Sequence, residues 1–400
     1  MKMRLGVLFG GKSVEHEVSI ISALQAIQSI NREKYEIIPI YITKNNEFYV
    51  GEYMDRIEEY KDVASLLKKS QRVALINQNN VVDLVKIPAK VFGRPIYNTI
   101  DIAFPIVHGT NVEDGTLQGM LKLLNIPFVG CDVTASAVGM DKYVMKTVLK
   151  DNGVPVLDCL CYDQFSYDNS QESVCKEIID EIGLPVIVKP LNLGSSVGIK
   201  VAKDSEGLLE ALEYAFDFSN RVLIERLVQN LKEINCSVLG DREEASASEC
   251  EEPVNSDDIL SYEDKYMSAS SGKGKTSLDN GKSGMTSLKR KLPADITDAQ
   301  RERVRDLAVK TFKLLDCNGV ARIDFMMDNT TGEIWVNEIN TIPGSLSFYL
   351  WEPLGKTYTQ LLDDMIELSF KRYREMDNIN FSFDTNILNC NQFAGSKGKS

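Results

Sequence analysis

The segments VARIDFMM (320–327) and EIWVNEIN (333–340) carry four polar side chains at strand spacing, separated by the turn DNTTG. Side chains alternate along a strand, so Arg322 and Asp324 share one face, and Glu338 and Asn340 share one face of the hairpin partner. A solvated sheet face would have the same pattern. Here, however, the apolar neighbours Val320, Ile323, Phe325, Ile334, Trp335, Val336 and Ile339 occupy both parities, which predicts burial on both sides. Buried carboxylates are costly unless they are paired or bound to a metal. Asp, Glu and Asn offer hard oxygen ligands, so the pattern predicts a Mg²⁺ site on Asp324, Glu338 and Asn340.

A second set centres on PVIVKPLNLGSSVGIKV (185–201), where Lys189 ends an apolar strand and a Gly/Ser turn follows. Such a turn can fold over phosphates as a flap, with the lysine supplying charge. Lys142 in GMDKYVMK would by itself be an ordinary solvated helix charge, but Glu225 in LIERL adds an acceptor. A nucleotide needs both, cations for its phosphates and an acceptor for its ribose hydroxyls. The stretch GVLFGGKS (6–13) also fits the letters of a P-loop, which must follow a strand and precede a helix. Gly6 instead falls inside the apolar run MRLGVLFG, which predicts a buried strand through the supposed loop and leaves only Gly10 and Gly11 to turn.

These groups need elements to hold them. Residues 1–125 alternate strands with helices, including a helix from about Glu15 with Val18, Ile21, Leu24, Ile27 and Ile30 at helical spacing. That alternation predicts a parallel sheet with helices on its faces and ligands beyond the carboxyl ends of its strands, where residues 10–13 and 108–115 lie. Residues 43–98 are less regular and are expected as an insertion on this sheet. After the helical stretch 134–153, short strands and helices predict an α+β unit. A second such unit, with helices at 297–316 and 357–376 around the polar hairpin, is expected to close over it. The expected division is 1–133, 134–227 and 228–376, with a loose tail at 377–400. The acidic stretch 241–258 and the Gly/Ser/Lys-rich stretch 268–284 are expected as loops, the second a mobile lid.

The bulk properties set limits. A net charge of −13 over 400 residues, with no dense basic stripe, argues against a nucleic-acid partner. No apolar run is long enough to span a membrane and no signal-peptide pattern opens the chain, so a cytoplasmic location is expected. The eight cysteines lack paired C-x-x-C spacing and are expected to be idle thiols.

Taken in order, GGKSVEHEVS, HGTNVEDGTLQG, GMDKYVMK, PVIVKPLNLGSSVG, YEDKY, ARIDF and NEINTIPG resemble the D-alanine–D-alanine ligase family of ATP-grasp enzymes over nearly the whole chain. The resemblance implies an α/β and α+β ATP-grasp fold of three domains, an N-terminal parallel α/β domain and two ATP-grasp domains with ATP between them. It implies ATP-driven joining of two D-alanines through an acylphosphate, for peptidoglycan precursors, with two Mg²⁺ (or Mn²⁺) on Asp324, Glu338 and Asn340. Lys142, Lys189 and Lys265 then match phosphate-binding lysines, and Glu225 and Glu233 match acids that hold the ribose and order the ATP pocket. Glu15 matches the acid that grips the first substrate's ammonium, with Ser195 and Tyr266 as its hydrogen-bonding partners. Arg322 and the backbone N–H of Gly344 match the oxyanion site, where one donor is typically worth ~10²–10³ in rate. His108 matches the family's active-site histidine. A homodimer is the expected assembly, with D-alanine and ATP as the small-molecule partners.

The sequence departs from the family pattern in three places, one of them the loop after Tyr266, which is expanded to carry the Gly/Lys-rich segment. Val112 stands where a glycine is usual. SLSFYLWEP (345–353) replaces the usual wording after NTIPG, with Tyr349 and Leu350 at the Ser–Leu pair that holds the second substrate's carboxylate and one extra residue before Pro353. Two other activities compete: a relative joining D-alanine to D-serine or D-lactate, and a nucleotide-binding homologue without catalysis.

Overall fold

The computed structural model describes residues 2–78, 81–88, 93–194, 197–254 and 290–381. Ser195, Lys265, Tyr266 and the expected lid at 268–284 lie outside them. Three sheets organise the chain.

The first sheet contains β1 (Met3–Gly10), β2 (Tyr35–Ile42), β3 (Phe48–Val50), β4 (Gln71–Gln78), β5 (Val81–Lys86), β6 (Ile96–Ile100) and β7 (Ile102–Pro105) in the order β6-β5-β4-β3-β2-β1-β7. Leu5, Val7, Leu8 and Phe9 are all fully buried, so β1 is covered on both faces, as its apolar run requires. Only β7, β1 and β2 run parallel. The sheet expected to be parallel is therefore mixed. Residues 43–98 supply four strands that extend it antiparallel, because two residues between β4 and β5 allow a hairpin and no crossover. Helices α1 (His16–Ser29), α2 (Val63–Lys68) and α3 (Thr116–Leu123) accompany this sheet.

The chain continues through α4 (Val133–Met140) and α5 (Lys142–Asp151) into the second sheet. Its strands are β8 (Cys159–Asp163), β9 (Val186–Pro190), β10 (Lys200–Ala202) and β11 (Arg221–Arg226), in the antiparallel order β10-β9-β11-β8. Helices α6 (Gln164–Glu181) and α7 (Ser205–Phe216) cover it, with Ile178, Leu208, Leu212, Val188 and Ile224 in one core.

The third sheet runs β14-β13-β12-β15-β16: β12 (Leu231–Gly240), β13 (Ala245–Pro253), β14 (Arg290–Lys291), β15 (Gly319–Asp328) and β16 (Ile334–Asn340). Half of the acidic stretch expected as a loop is thus strand β13. Its acids are matched one by one to cations, Glu249 to Arg301, Glu251 to Arg290 and Glu252 to Lys291, while Ala247 and Cys250 are buried between them. Helix α8 (Asp298–Leu314) covers this sheet. Helix α5 joins the same core through Met145 and Leu149, whereas α9 (Tyr358–Asp377) packs Leu361, Leu362, Met365 and Ile366 into the core of the first sheet. The seven cysteines among the described residues are free thiols, and no described helix is long and apolar enough to cross a membrane.

Gly10 and Gly11 end β1 with φ of 92° and 97°, a conformation that side chains disfavour. A Cβ on Gly10 would sit 2.3 Å from the Ile42 carbonyl oxygen, and one on Gly11 would sit 2.4 Å from Cγ1 of Val112. The buried valine therefore fills the space against Gly11. The turn delivers Glu15 and α1, and Lys12 remains exposed. Gly11→Ala is expected to lower the melting temperature clearly, while Lys12→Ala leaves both melting and the KM for ATP within a few-fold of wild type. A collapse of ATP affinity in Lys12→Ala alone would restore the P-loop assignment.

Candidate active site

The polar hairpin face is built by register. Arg322 lies opposite Asn340 and Asp324 opposite Glu338, and β12 continues the row with Asn235 opposite both Asp324 and Glu251 of β13. Arg322 donates to Asp324 through Nε at 2.6 Å and through a terminal nitrogen at 2.7 Å, and Asn340 Nδ2 donates to the same carboxylate at 3.0 Å. Burial opposes the charge on Arg322, but Asp324 outweighs it and holds the guanidinium protonated. Glu338 Oε2 lies 3.3 Å from Lys142 Nζ. The three expected metal ligands thus lie together on paired strands, with Asp324 engaged by Arg322 and Asn340. Among the described residues no three His, Cys, Asp or Glu side chains form a closed cage. Two carboxylates and an amide are donor types that suit Mg²⁺, which seldom takes an all-protein shell.

The second sheet contributes Lys189 and Glu225. Lys189 is opposite Leu223, so Glu225 is its diagonal neighbour on one face. Lys189 Nζ donates to Glu225 Oε2 at 2.6 Å and to Asn337 Oδ1 at 3.2 Å. Asn337 is the extra residue at a bulge in β16, and such bulges re-aim a side chain. The other carboxylate oxygen of Glu225 is paired with Lys146. Burial pushes the Glu225 pKa up, but Lys146 and then Lys189 outweigh it and bring it down to about 2. Lys142 and Lys146 are one turn apart on α5, and so face the same way. Asp141 caps that helix through the N–H groups of Tyr143 and Val144 and binds Arg221 of β11 at 3.1 Å.

Two loops meet at Ile342. Its N–H donates to Glu113 Oε1 at 2.8 Å, and its carbonyl accepts from His108 Nδ1 at 2.8 Å. A carbonyl can only accept, so the proton is on Nδ1. Nε2 of His108 then accepts from the Ser22 hydroxyl at 2.9 Å, and that oxygen in turn accepts the Ser345 N–H at 3.0 Å. Burial holds the His108 pKa below its usual value, which agrees with this neutral tautomer. Glu113 Oε2 also takes the Gly109 N–H at 3.0 Å, and burial pushes its carboxyl up to about 7. Beyond Gly344, the non-glycine residues Ser345, Leu346 and Ser347 all have φ near +50°, a left-handed turn. Ser345 Oγ secures it by donating to Gln25 Oε1 at 2.6 Å.

One cavity is lined by Glu15, His108, Lys142, Arg322, Glu338, Asn340 and Gly344, together with Glu113 and Gly194. A Cβ on Gly194 would lie 3.1 Å from Glu15 Oε2, so the backbone at Gly194 lies directly against that acid. Lys189 and Glu225 are not among its lining residues, and Glu225, expected to hold a ribose, is instead fully buried with each oxygen on a lysine. Glu233 is on the same face of β12 as Asn235, two residues away. Tyr349 and Leu350 are buried outside the lining, and the Tyr349 phenol donates to Glu251 at 3.0 Å beneath the guanidinium of Arg290.

Residues 4–131 match the family description "D-ala D-ala ligase N-terminus", and residues 148–367 match "D-ala D-ala ligase C-terminus". The chain belongs to the D-alanine–D-alanine ligase family. It is 38% identical to the D-alanine–D-alanine ligase of Thermosipho melanesiensis over 96% of this chain and 98% of that protein, and 38% identical to that of Acetivibrio thermocellus over 94% and 97%. Among solved structures it is similar to the D-alanine–D-alanine ligase of Coxiella burnetii (TM-score 0.75, 27% identity, covering 98% and 99% of the two chains). It is equally similar to the VanG D-Ala:D-Ser ligase of Enterococcus faecalis (TM-score 0.75, 31% identity, 92% and 100%).

Four residues of this ligase-family site were missed by sequence reasoning. Lys146 was signalled by its spacing of four from Lys142, and Glu113 sits inside the quoted HGTNVEDG. Glu251 was hidden in a stretch that looked solvated, and the bulge aiming Asn337 had no signal at all. Glu113 carries a pH signature. Its folded pKa, about 7, lies above the value of a free glutamate, so its contribution to stability is fully present below the unfolded pKa and is lost as pH rises toward 7. In denaturant titrations the stability of wild type relative to Glu113→Gln is expected to fall between pH 5 and 7 and then level off. A difference that is flat across that range would show that Glu113 is not buried as described.

Proposed function

We propose that this protein joins two D-alanines at the expense of ATP. The observation that supports this best is the single cavity where Glu15, Arg322, Glu338, Asn340 and the Gly344 backbone converge, in a chain of this family. Glu15 would hold the ammonium of the first D-alanine, with its carboxylate toward Arg322. That carboxylate attacks the γ-phosphorus of ATP, the bond to the ADP oxygen breaks, and an acylphosphate forms. The amine of the second D-alanine then attacks the acyl carbon, sheds a proton and expels phosphate.

Each group has a physical task. Lys142 and Lys189 would balance the phosphates, and Glu233 would border the nucleoside. Asp324, Glu338 and Asn340 would hold one or two Mg²⁺, which neutralise charge on the transferring phosphoryl group. Arg322 and the Gly344 N–H would receive the oxyanion of the tetrahedral intermediate. His108, with both ring nitrogens committed, would act by fixing the NTIPG loop. The Ser195 and Tyr266 roles, the Lys265 contact with phosphate and the homodimer belong to the same proposal.

The acceptor is proposed to be D-alanine, with D-serine as the second candidate because a solved relative is named a D-Ala:D-Ser ligase. The Tyr349 phenol is held by Glu251, so it can meet an acceptor carboxylate only by giving up that bond. Phosphate release with ATP, Mg²⁺ and a panel of D-alanine, D-serine and D-lactate, with products weighed by mass spectrometry, tests the assignment. D-alanyl-D-alanine is the expected main product, and a preference for D-lactate would overturn it. In the same assay Glu338→Gln is expected to lower kcat by ~10² or more while ATP still binds, because one lost charge weakens Mg²⁺ more than nucleotide contacts. Near-normal turnover at saturating Mg²⁺ would remove Glu338 from the metal site.

A further inference from the structure

Glu225 is fully buried and has two lysines, one more than neutrality requires. The two are not equivalent. Lys146 is 2% exposed and points from α5 into the interior, whereas Lys189 also reaches Asn337 on the third sheet, so it bridges the two sheets. Lys189 is the one of the two that the proposed function sets beside the phosphates. If Glu225 had Lys189 alone, moving that lysine to a phosphate would strand a buried carboxylate, which proteins do not tolerate without a partner. With Lys146 in place the carboxylate stays paired.

We propose that Lys146 is a positioning residue for the nucleotide: it holds Glu225 so that Lys189 can transfer from that carboxylate to a phosphate of ATP. The proposal rests on the placement of the ATP phosphates beside Lys189. Lys146 itself touches no ligand. Its effect is confined to the phosphates, because adenosine makes no demand on Lys189.

The test compares ATP with adenosine, by titration calorimetry on the full-length protein. Lys146→Met should weaken ATP by about 10-fold to 100-fold, the scale of one charged hydrogen bond, and leave adenosine within about 2-fold. Retained adenosine binding shows that the variant is folded. Lys146→Arg should recover most of the ATP affinity. The double variant Lys146→Met/Glu225→Gln should also recover it, since an amide makes no claim on Lys189. The proposal is overturned if Lys146→Met leaves ATP unchanged, if it weakens ATP and adenosine equally, or if the double variant binds ATP no better than the single one. Lys189→Met separates this failure from that of the underlying placement: unchanged ATP affinity there would mean that the phosphates lie elsewhere.

Discussion

Burying Glu225 without a counter-ion would cost far more than any single contact around it contributes, so the second sheet and helix α5 come together around a carboxylate that needs at least one of its two lysines, Lys146 from α5 and Lys189 from β9. The consequence spreads outward. Fixing Lys146 fixes the face of α5, and that face carries Lys142 one turn earlier, 3.3 Å from Glu338. Fixing Lys189 ties the second sheet to Asn337 on the third. A carboxylate that reaches no solvent thus sets the spacing between the elements expected to enclose the nucleotide.

The amino-acid side of the site depends on a different kind of constraint, a backbone one. Ile342 is gripped by its N–H and its carbonyl at once, by Glu113 and His108 from a single loop. Three residues later the chain enters three consecutive left-handed residues, each disfavoured by about 1–2 kcal/mol. Such a turn persists only where its surroundings over-determine it. Here they do: Ser22 and Gln25 hold Ser345, and Trp351 donates to Ser237 Oγ at 3.2 Å. The strained turn fixes the direction of the N–H groups that follow Pro343.

How much of this was legible depended on whether a feature is local. The polar hairpin was readable because strand alternation alone puts Arg322 with Asp324 and Glu338 with Asn340, and the register pairs them as that alternation implies. Rejection of the P-loop was equally local, since β1 does run through Gly6 to Gly10. The first sheet's direction was not local. Its parallel centre followed from strand–helix alternation, but the antiparallel extension is set by short hairpin connections in a region of weak periodicity. Strand β13 failed for a related reason: its acids look solvated until the cations from β14 and α8, far along the chain, are beside them. Lys146 is visible in its spacing of four from Lys142, but its partner Glu225 lies far along the chain.

The aromatic segment after Gly344 shows why departures from a family pattern need a structure before they are read as function. Its large side chains look like an intrusion into an acceptor pocket. In place, Phe348 stacks on Tyr358 with ring centroids 4.3 Å apart, Tyr349 lies under Arg290 and donates to Glu251, and Trp351 is anchored on β12. Every one of them points into protein. The bulk therefore serves the strained turn, and the extra residue before Pro353 is accommodated where it is anchored. What faces the cavity from this part of the chain is the Gly344 end of the turn, beside Arg322, and none of these rings is among its lining.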